Sequence, residues 1–198
     1  MCGIAGYFGR SVDTDAARDA VARMLDAIAH RGPDGRGVRV SGDGALGHVR
    51  LSIVDIAGGA QPLADEAANV AISFNGEIFN HEALRRDLET RGHRFRTRSD
   101  TEVILRLYLE KGADCLADLN GDFAFAIHDG RTRSLLLARD RMGVRPLYWV
   151  RGREGLSFAS EIKALLACGA ASGRLDPLGL ADVFTLWLPL RSEEHTSE

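Results

Sequence analysis

The chain has 198 residues, 45% hydrophobic and 27% charged, a composition that suits one globular core and argues against a disordered or fibrous protein. Its 25 basic and 28 acidic residues leave a net charge of −3 spread along the chain, which disfavours nucleic acid and anionic membranes as partners. No run approaches the ~18 apolar residues of a membrane span, the N-terminus lacks a secretory pattern, and the three cysteines are too scattered for a disulfide framework or a zinc motif, so a cytoplasmic protein without a metal site is expected.

From the N-terminus, GIAGYFG at residues 3–9 is small, apolar and β-favouring, the pattern of a buried strand. Asp13 or Thr14 caps a predicted helix in which Ala17, Val21, Met24, Leu25 and Ile28 recur at helical spacing, ending near His30 where RGPDGRG breaks it. Residues 37–53 alternate around the turn SGDG and predict a hairpin. VAISFNGEIF repeats the pattern, and Asn75-Gly76 taken alone reads as a second hairpin turn. Two amphipathic helices are expected over 81–91 and 100–111, the second opened by a capping box of Ser99 and Glu102. FAFAIHD, SLLLARD, LYWV and LSFA predict four further strands, and a helix returns over 161–168. Hairpin-joined strands outnumber strand-helix-strand units, so the expected class is α+β, with antiparallel sheets and helices on their outer faces. Beyond residue 187 periodicity fades, and no packed structure is expected.

Of the cysteines, Cys115 and Cys168 read as small apolar fillers. Cys2 follows the initiator, and a cytosolic aminopeptidase removes Met1 when so small a residue comes next. The thiol and a free α-amine, with a reference pKa of ~8, would then share one residue, a combined nucleophile and base. The bland reading is an incidental second residue at the start of a strand. Attack on an amide also requires an oxyanion site and groups that hold an amino acid by its charged ends. Asn75 and Gly76 offer an amide side chain and an unhindered N–H, Arg50 a guanidinium fork for a carboxylate, and Asp100 a carboxylate for an ammonium, with Glu77 beside them. Each has an ordinary alternative too: a surface charge at Arg50, part of a helix cap at Asp100, a solvated side chain at Glu77.

Taken together, CGIAG at 2–6, RGPDG at 31–35, RLSIVD at 50–55, FNGEIFN at 74–80, SDTEVIL at 99–105 and RDRMGVRPLYW at 139–149 resemble the N-terminal glutaminase domain of glutamine-hydrolysing asparagine synthetases. The resemblance covers residues 2–187 and implies a four-layer αββα sandwich of two antiparallel sheets, the N-terminal nucleophile hydrolase fold. It further implies that Cys2 is the nucleophile and that Asn75 and Gly76 form the oxyanion hole. Glutamine would be bound by Arg50, Glu77 and Asp100, with the backbone of Leu51, Ile53 and Val54 lining the pocket. His30, Arg31, Gly32, Pro33, Asp34 and Gly35 would form a lid loop, and Arg139, Asp140 and Arg145 would face a C-terminal synthetase domain. That domain, absent here, would use ATP and magnesium to make asparagine from aspartate, while no cofactor is expected in this domain. Residues 191–198, RSEEHTSE, depart from the family pattern and resemble read-through of a sequencing adaptor. The expected partners are glutamine and the synthetase domain, and a homodimer is compatible with the sequence. Two other readings stay open: a glutaminase serving another acceptor, and a catalytically silent module of the same fold.

Overall fold

The computed structural model describes residues 1–9, 13–52, 55 and 58–186. Strand β1 (Gly3–Gly9) is followed by α1 (Thr14–Ala27), β2 (Gly35–Ser41) and β3 (Gly44–Arg50). Next come β4 (Leu63–Asp65), β5 (Val70–Ile78), α2 (His81–Thr90) and α3 (Asp100–Lys111). Strands β6 (Gly121–Asp129), β7 (Ser134–Arg139), β8 (Tyr148–Arg151) and β9 (Gly155–Ala159) precede α4 (Ile162–Ala167) and α5 (Pro177–Leu186). All strand pairings are antiparallel, in one five-stranded sheet of order β2-β3-β1-β9-β8 and one four-stranded sheet of order β4-β5-β6-β7.

Period-two alternation along the strands sorts the apolar residues into three layers of core. Ala5, Ala45 and Val49 on the outer face of the first sheet pack against Val21, Met24 and Leu25 of α1 and Leu165 of α4. Ile72, Phe74, Phe125 and Ile127 on the outer face of the second sheet pack against Leu88 of α2 and Val103, Ile104 and Leu107 of α3. Between the sheets lie Ile4, Leu46 and Phe158 from one side and Ala71, Ala124 and Ala126 from the other. The small residues of the second sheet let the two sheets approach closely, and Ser73 Oγ donates to the Gly47 carbonyl at 2.9 Å across the gap. The result is the α+β, αββα sandwich that the family resemblance implied.

Local chemistry explains most element ends. Asp13 caps α1, its Oδ1 accepting from the Asp15 and Ala16 amides. That helix ends at Ala27, earlier than expected, and a short 3₁₀ turn over Ala29–Arg31 follows before Gly32. The predicted 37–53 hairpin forms, but its second strand leaves the ladder after Arg50, and Ile53 lies outside the described residues. Asn75-Gly76 is not a turn: both residues lie inside β5, paired with Ala124 and Phe123 of β6. A long β partner has overridden the local dipeptide signal.

Only half of the expected capping box exists. Ser99 Oγ accepts from the Thr101 amide, but the Ser99 amide donates to Thr97 Oγ1. The Glu102 carboxylate is drawn away to the Arg96 and Thr97 amides, the Thr97 hydroxyl and Arg106. No described helix is long and apolar enough to cross a membrane.

Candidate active site

The ends of β1 and β3 and the β4-side edge of β5 meet the start of α3 around a cavity of about 100 Å³ lined by Cys2, Arg50, Leu51, Asn75, Gly76, Glu77 and Asp100. Residues that were 98 positions apart in the sequence thus share one wall. Met1, Gly59, Gln61, Phe74, Ser99, Thr101 and Arg145 complete the lining.

Cys2 precedes β1, whose first residues are fixed from both flanks. The Ile4 amide donates to Ser160 Oγ at 2.9 Å, and the Ser160 amide returns a bond to the Ile4 carbonyl at 2.9 Å. Arg31 Nε donates to the Cys2 carbonyl at 2.9 Å, while Arg31 Nη1 binds Glu161 at 3.0 Å. Burial alone would raise the Glu161 carboxyl, but hydrogen bonds from Arg31, Lys163 and His30 hold it down to about 2. The thiol faces the chain just after β3: the Leu51 amide donates to Cys2 Sγ at 3.3 Å, and Sγ lies 3.5 Å from the Leu51 carbonyl. With Met1 in place the Cys2 nitrogen is a peptide nitrogen, and Met1 Sδ accepts from Arg145 Nη1 at 2.7 Å.

Arg50, the last residue of β3, is half-buried and donates through Nη2 to the Asp55 carbonyl at 2.6 Å. Asp55 is itself a small hub, accepting the Arg98 and Gly58 amides, which hold its carboxyl low. Asn75 is 2% exposed and its Nδ2 has no hydrogen-bond partner among the described residues. Gly76 has φ 155°, and a Cβ there would sit 2.1 Å from the Asp122 carbonyl oxygen, so the position admits only glycine. Glu77 is exposed at the rim of the cavity it helps to line.

Asp100 is buried at the first turn of α3, accepting the Ile78 amide through Oδ2 at 3.1 Å. Burial pushes its carboxyl above the usual range, an effect the Ile78 amide only partly offsets. A ligand cation beside it would favour its charged form.

Ile53 and Val54 lie outside the described residues. The six residues of the expected lid loop do not line the cavity. They flank it: Gly32 packs its backbone against Val49 and Arg50, the Asp34 amide donates to the Arg50 carbonyl at 2.9 Å, and Asp34 Oδ2 accepts the Ser52 amide at 2.7 Å. Of the 139–149 segment, Asp140 is buried and takes the Phe123, Val144 and Arg145 amides, and Arg139 binds the Gly143 and Arg145 carbonyls. These two residues brace the loop that carries Arg145 to the cavity.

Sequence reasoning missed Gln61, Ser99 and Thr101 as cavity residues. Ser99 and Thr101 flank Asp100 and were read only as helix start, and Gln61 belongs to a loop without periodicity. Among the described residues no group of three or more His, Cys, Asp or Glu side chains is placed to hold a metal ion. Cys115 is buried and its thiol is pushed up to about 11, chiefly by burial and then by Asp118 and Asp114, as befits a filler.

The glutamine amidotransferase domain family model matches residues 1–196. The chain is 42% identical over 188 residues to asparagine synthetase [glutamine-hydrolyzing] 3 of Bacillus subtilis (strain 168), covering 94% of this chain and 31% of that relative. It is 44% identical over 167 residues to asparagine synthetase B [glutamine-hydrolyzing] of Escherichia coli (strain K12), covering 84% and 30%. Among solved structures, glutamine phosphoribosylpyrophosphate amidotransferase from B. subtilis superposes with a TM-score of 0.70 at 27% identity, covering 85% of this chain and 44% of that one. The chain therefore spans about a third of the length of these curated relatives.

Proposed function

The chain belongs to the glutamine amidotransferase domain family, and from that premise we propose that it hydrolyses glutamine to glutamate and ammonia, supplying the nitrogen for asparagine synthesis by a further domain. The observation that carries the reading is the convergence of Cys2, Arg50, Asn75, Gly76 and Asp100 on one cavity.

Removal of Met1 turns the Cys2 nitrogen into an α-amine able to take the thiol proton. Arg50 holds the substrate carboxylate as a fork, and Asp100, assisted by Glu77, holds its ammonium. The sulfur then attacks the side-chain amide carbon. Asn75 Nδ2 and the Gly76 N–H stabilise the oxyanion that forms. Collapse of this intermediate breaks the C–N bond, and ammonia leaves with the proton stored on the α-amine. Water, deprotonated by the same amine, cleaves the thioester, giving glutamate and the free thiol. The segment of His30, Arg31, Gly32, Pro33, Asp34 and Gly35 would cover the bound substrate, and the Arg145 loop would face the synthetase domain. ATP and magnesium would serve that domain, and no residue described here is assigned to them. The setting would be the cytoplasm.

Intact mass should show loss of Met1, and 6-diazo-5-oxo-norleucine should label Cys2 and neither other cysteine. Ammonia release from glutamine should be abolished in Cys2→Ala and nearly so in Cys2→Ser, a loss of ~10³-fold or more, since a hydroxyl is the weaker nucleophile. Turnover by a protein that retains Met1 would sink the mechanism.

A further inference from the structure

Gln61 is a cavity residue to which neither the sequence patterns nor the mechanism assigns a task, yet its carboxamide is engaged at both ends. Oε1 accepts the Phe74 amide at 2.7 Å, and Nε2 donates to Thr101 Oγ1 at 3.3 Å. The register of the second sheet shows why this matters. Strand β4 pairs with β5 only at Leu63↔Ile72, Ala64↔Ala71 and Asp65↔Val70, whereas β6 pairs along the whole of Val70–Ile78. Past Ile72, β5 therefore has no strand partner on its β4 side among the described residues.

Strand alternation sends the amides of Phe74, Gly76 and Ile78 toward that side. The first is taken by Gln61 and the third by Asp100 Oδ2 at 3.1 Å. The middle one, Gly76, lines the cavity. Gln61 and Asp100 thus clamp the edge on either side of the oxyanion donor. Unclamped, the Phe74 amide would be a second donor at that edge, and the Phe74–Gly76 segment would lack a restraint on that side.

The clamp is itself anchored. A Cβ on Gly37 of β2 would meet the Gln61 carbonyl oxygen at 2.1 Å, so the Gln61 backbone lies against the first sheet. Through Thr101 the carboxamide also reaches the helix turn that carries Asp100.

We infer that Gln61 is a positioning residue for the oxyanion hole: its carboxamide stands in for the missing β4 backbone at Phe74 and fixes the Gly76 N–H and Asn75 Nδ2 for the tetrahedral intermediate. The inference rests on the glutaminase reading. It is specific to the transition state, since the ends of glutamine are held by Arg50 and Asp100.

The test uses the full chain with Met1 removed and compares Gln61→Met, which keeps side-chain bulk but loses both hydrogen bonds, with Thr101→Val, which keeps the Phe74 bond. Gln61→Met should lower kcat by ~10- to 100-fold with KM for glutamine within ~3-fold of wild type, the range expected when an oxyanion donor is displaced. Glutamate γ-semialdehyde, whose aldehyde carbon takes the Cys2 thiol and places an oxygen in the hole, should lose affinity by a similar factor. The product glutamate should bind as before. Thr101→Val should cost less than ~5-fold in kcat. Equal loss of semialdehyde and glutamate affinity in Gln61→Met, or kcat within ~2-fold of wild type, overturns the inference. If wild type itself releases no ammonia, the glutaminase reading has failed instead.

Discussion

At the scale of single residues, Arg50 illustrates how much geometry a charge needs. It ends β3, half-buried, with one nitrogen committed to the Asp55 carbonyl. A lysine there would keep the charge but could not serve that carbonyl and a carboxylate from one rigid plane. Arg50→Lys should raise KM for glutamine by ~10-fold or more and leave kcat less affected, as initial-rate kinetics would show, because the fork acts on ground state and transition state alike. An unchanged KM would remove Arg50 from substrate binding. Arg50, Cys2, Asn75 and Asp100 were legible in the sequence because their motifs resemble a family; taken singly, each also fitted an ordinary structural role. Gln61 was not legible. Its part is a side chain replacing a ladder partner, and that becomes visible only once β4 is seen to stop short.

At the scale of elements, strand β5 shows where local reading ends. Alternation predicted a β run, and a run is found, but the Asn75-Gly76 pair reads as a turn unless its nine-residue partnership with β6 is known. Glycine is needed there for a different reason: close approach to the Asp122 backbone at positive φ. Gly76→Ala should therefore force β5 away from β6, lowering stability by roughly 2 kcal/mol or more and abolishing turnover. Thermal unfolding and ammonia release would test both consequences, and a variant of normal stability and activity would show that the approach relaxes freely. The helices were easier to read, since α1, α2 and α3 carry apolar stripes and α1 and α3 also carry side-chain caps. The short β4 has no such signature, and its existence depends on β5 lying beside it. The Ser99–Glu102 box failed because Glu102 found four donors in the preceding loop and in Arg106.

At the scale of the whole molecule, the contact between the two sheets is close and largely apolar, and His48 lies within it. This residue pairs with Ile4 in β1 and shares the inter-sheet face with Leu46, 1% exposed, and neither ring nitrogen has a hydrogen-bond partner among the described residues. Burial first, and the nearby Arg50 charge second, lower its pKa from 6.5 to about 3. The folded protein therefore keeps this imidazole neutral, while the unfolded chain takes up a proton below pH 6.5. Because the unfolded state binds more protons in that range, stability falls as pH drops from about 6.5 toward about 3. By pH ~4.5 the loss amounts to on the order of 3 kcal/mol, a large part of a typical domain's margin. His48→Leu, which cannot take that proton, should flatten this part of the profile in denaturant titrations between pH 7 and ~4.5. A parallel pair of curves for wild type and variant would mean that His48 titrates in the folded protein as freely as in the unfolded chain. The first sheet would then have to carry a charged imidazole next to Arg50, and the close inter-sheet packing around it would not hold.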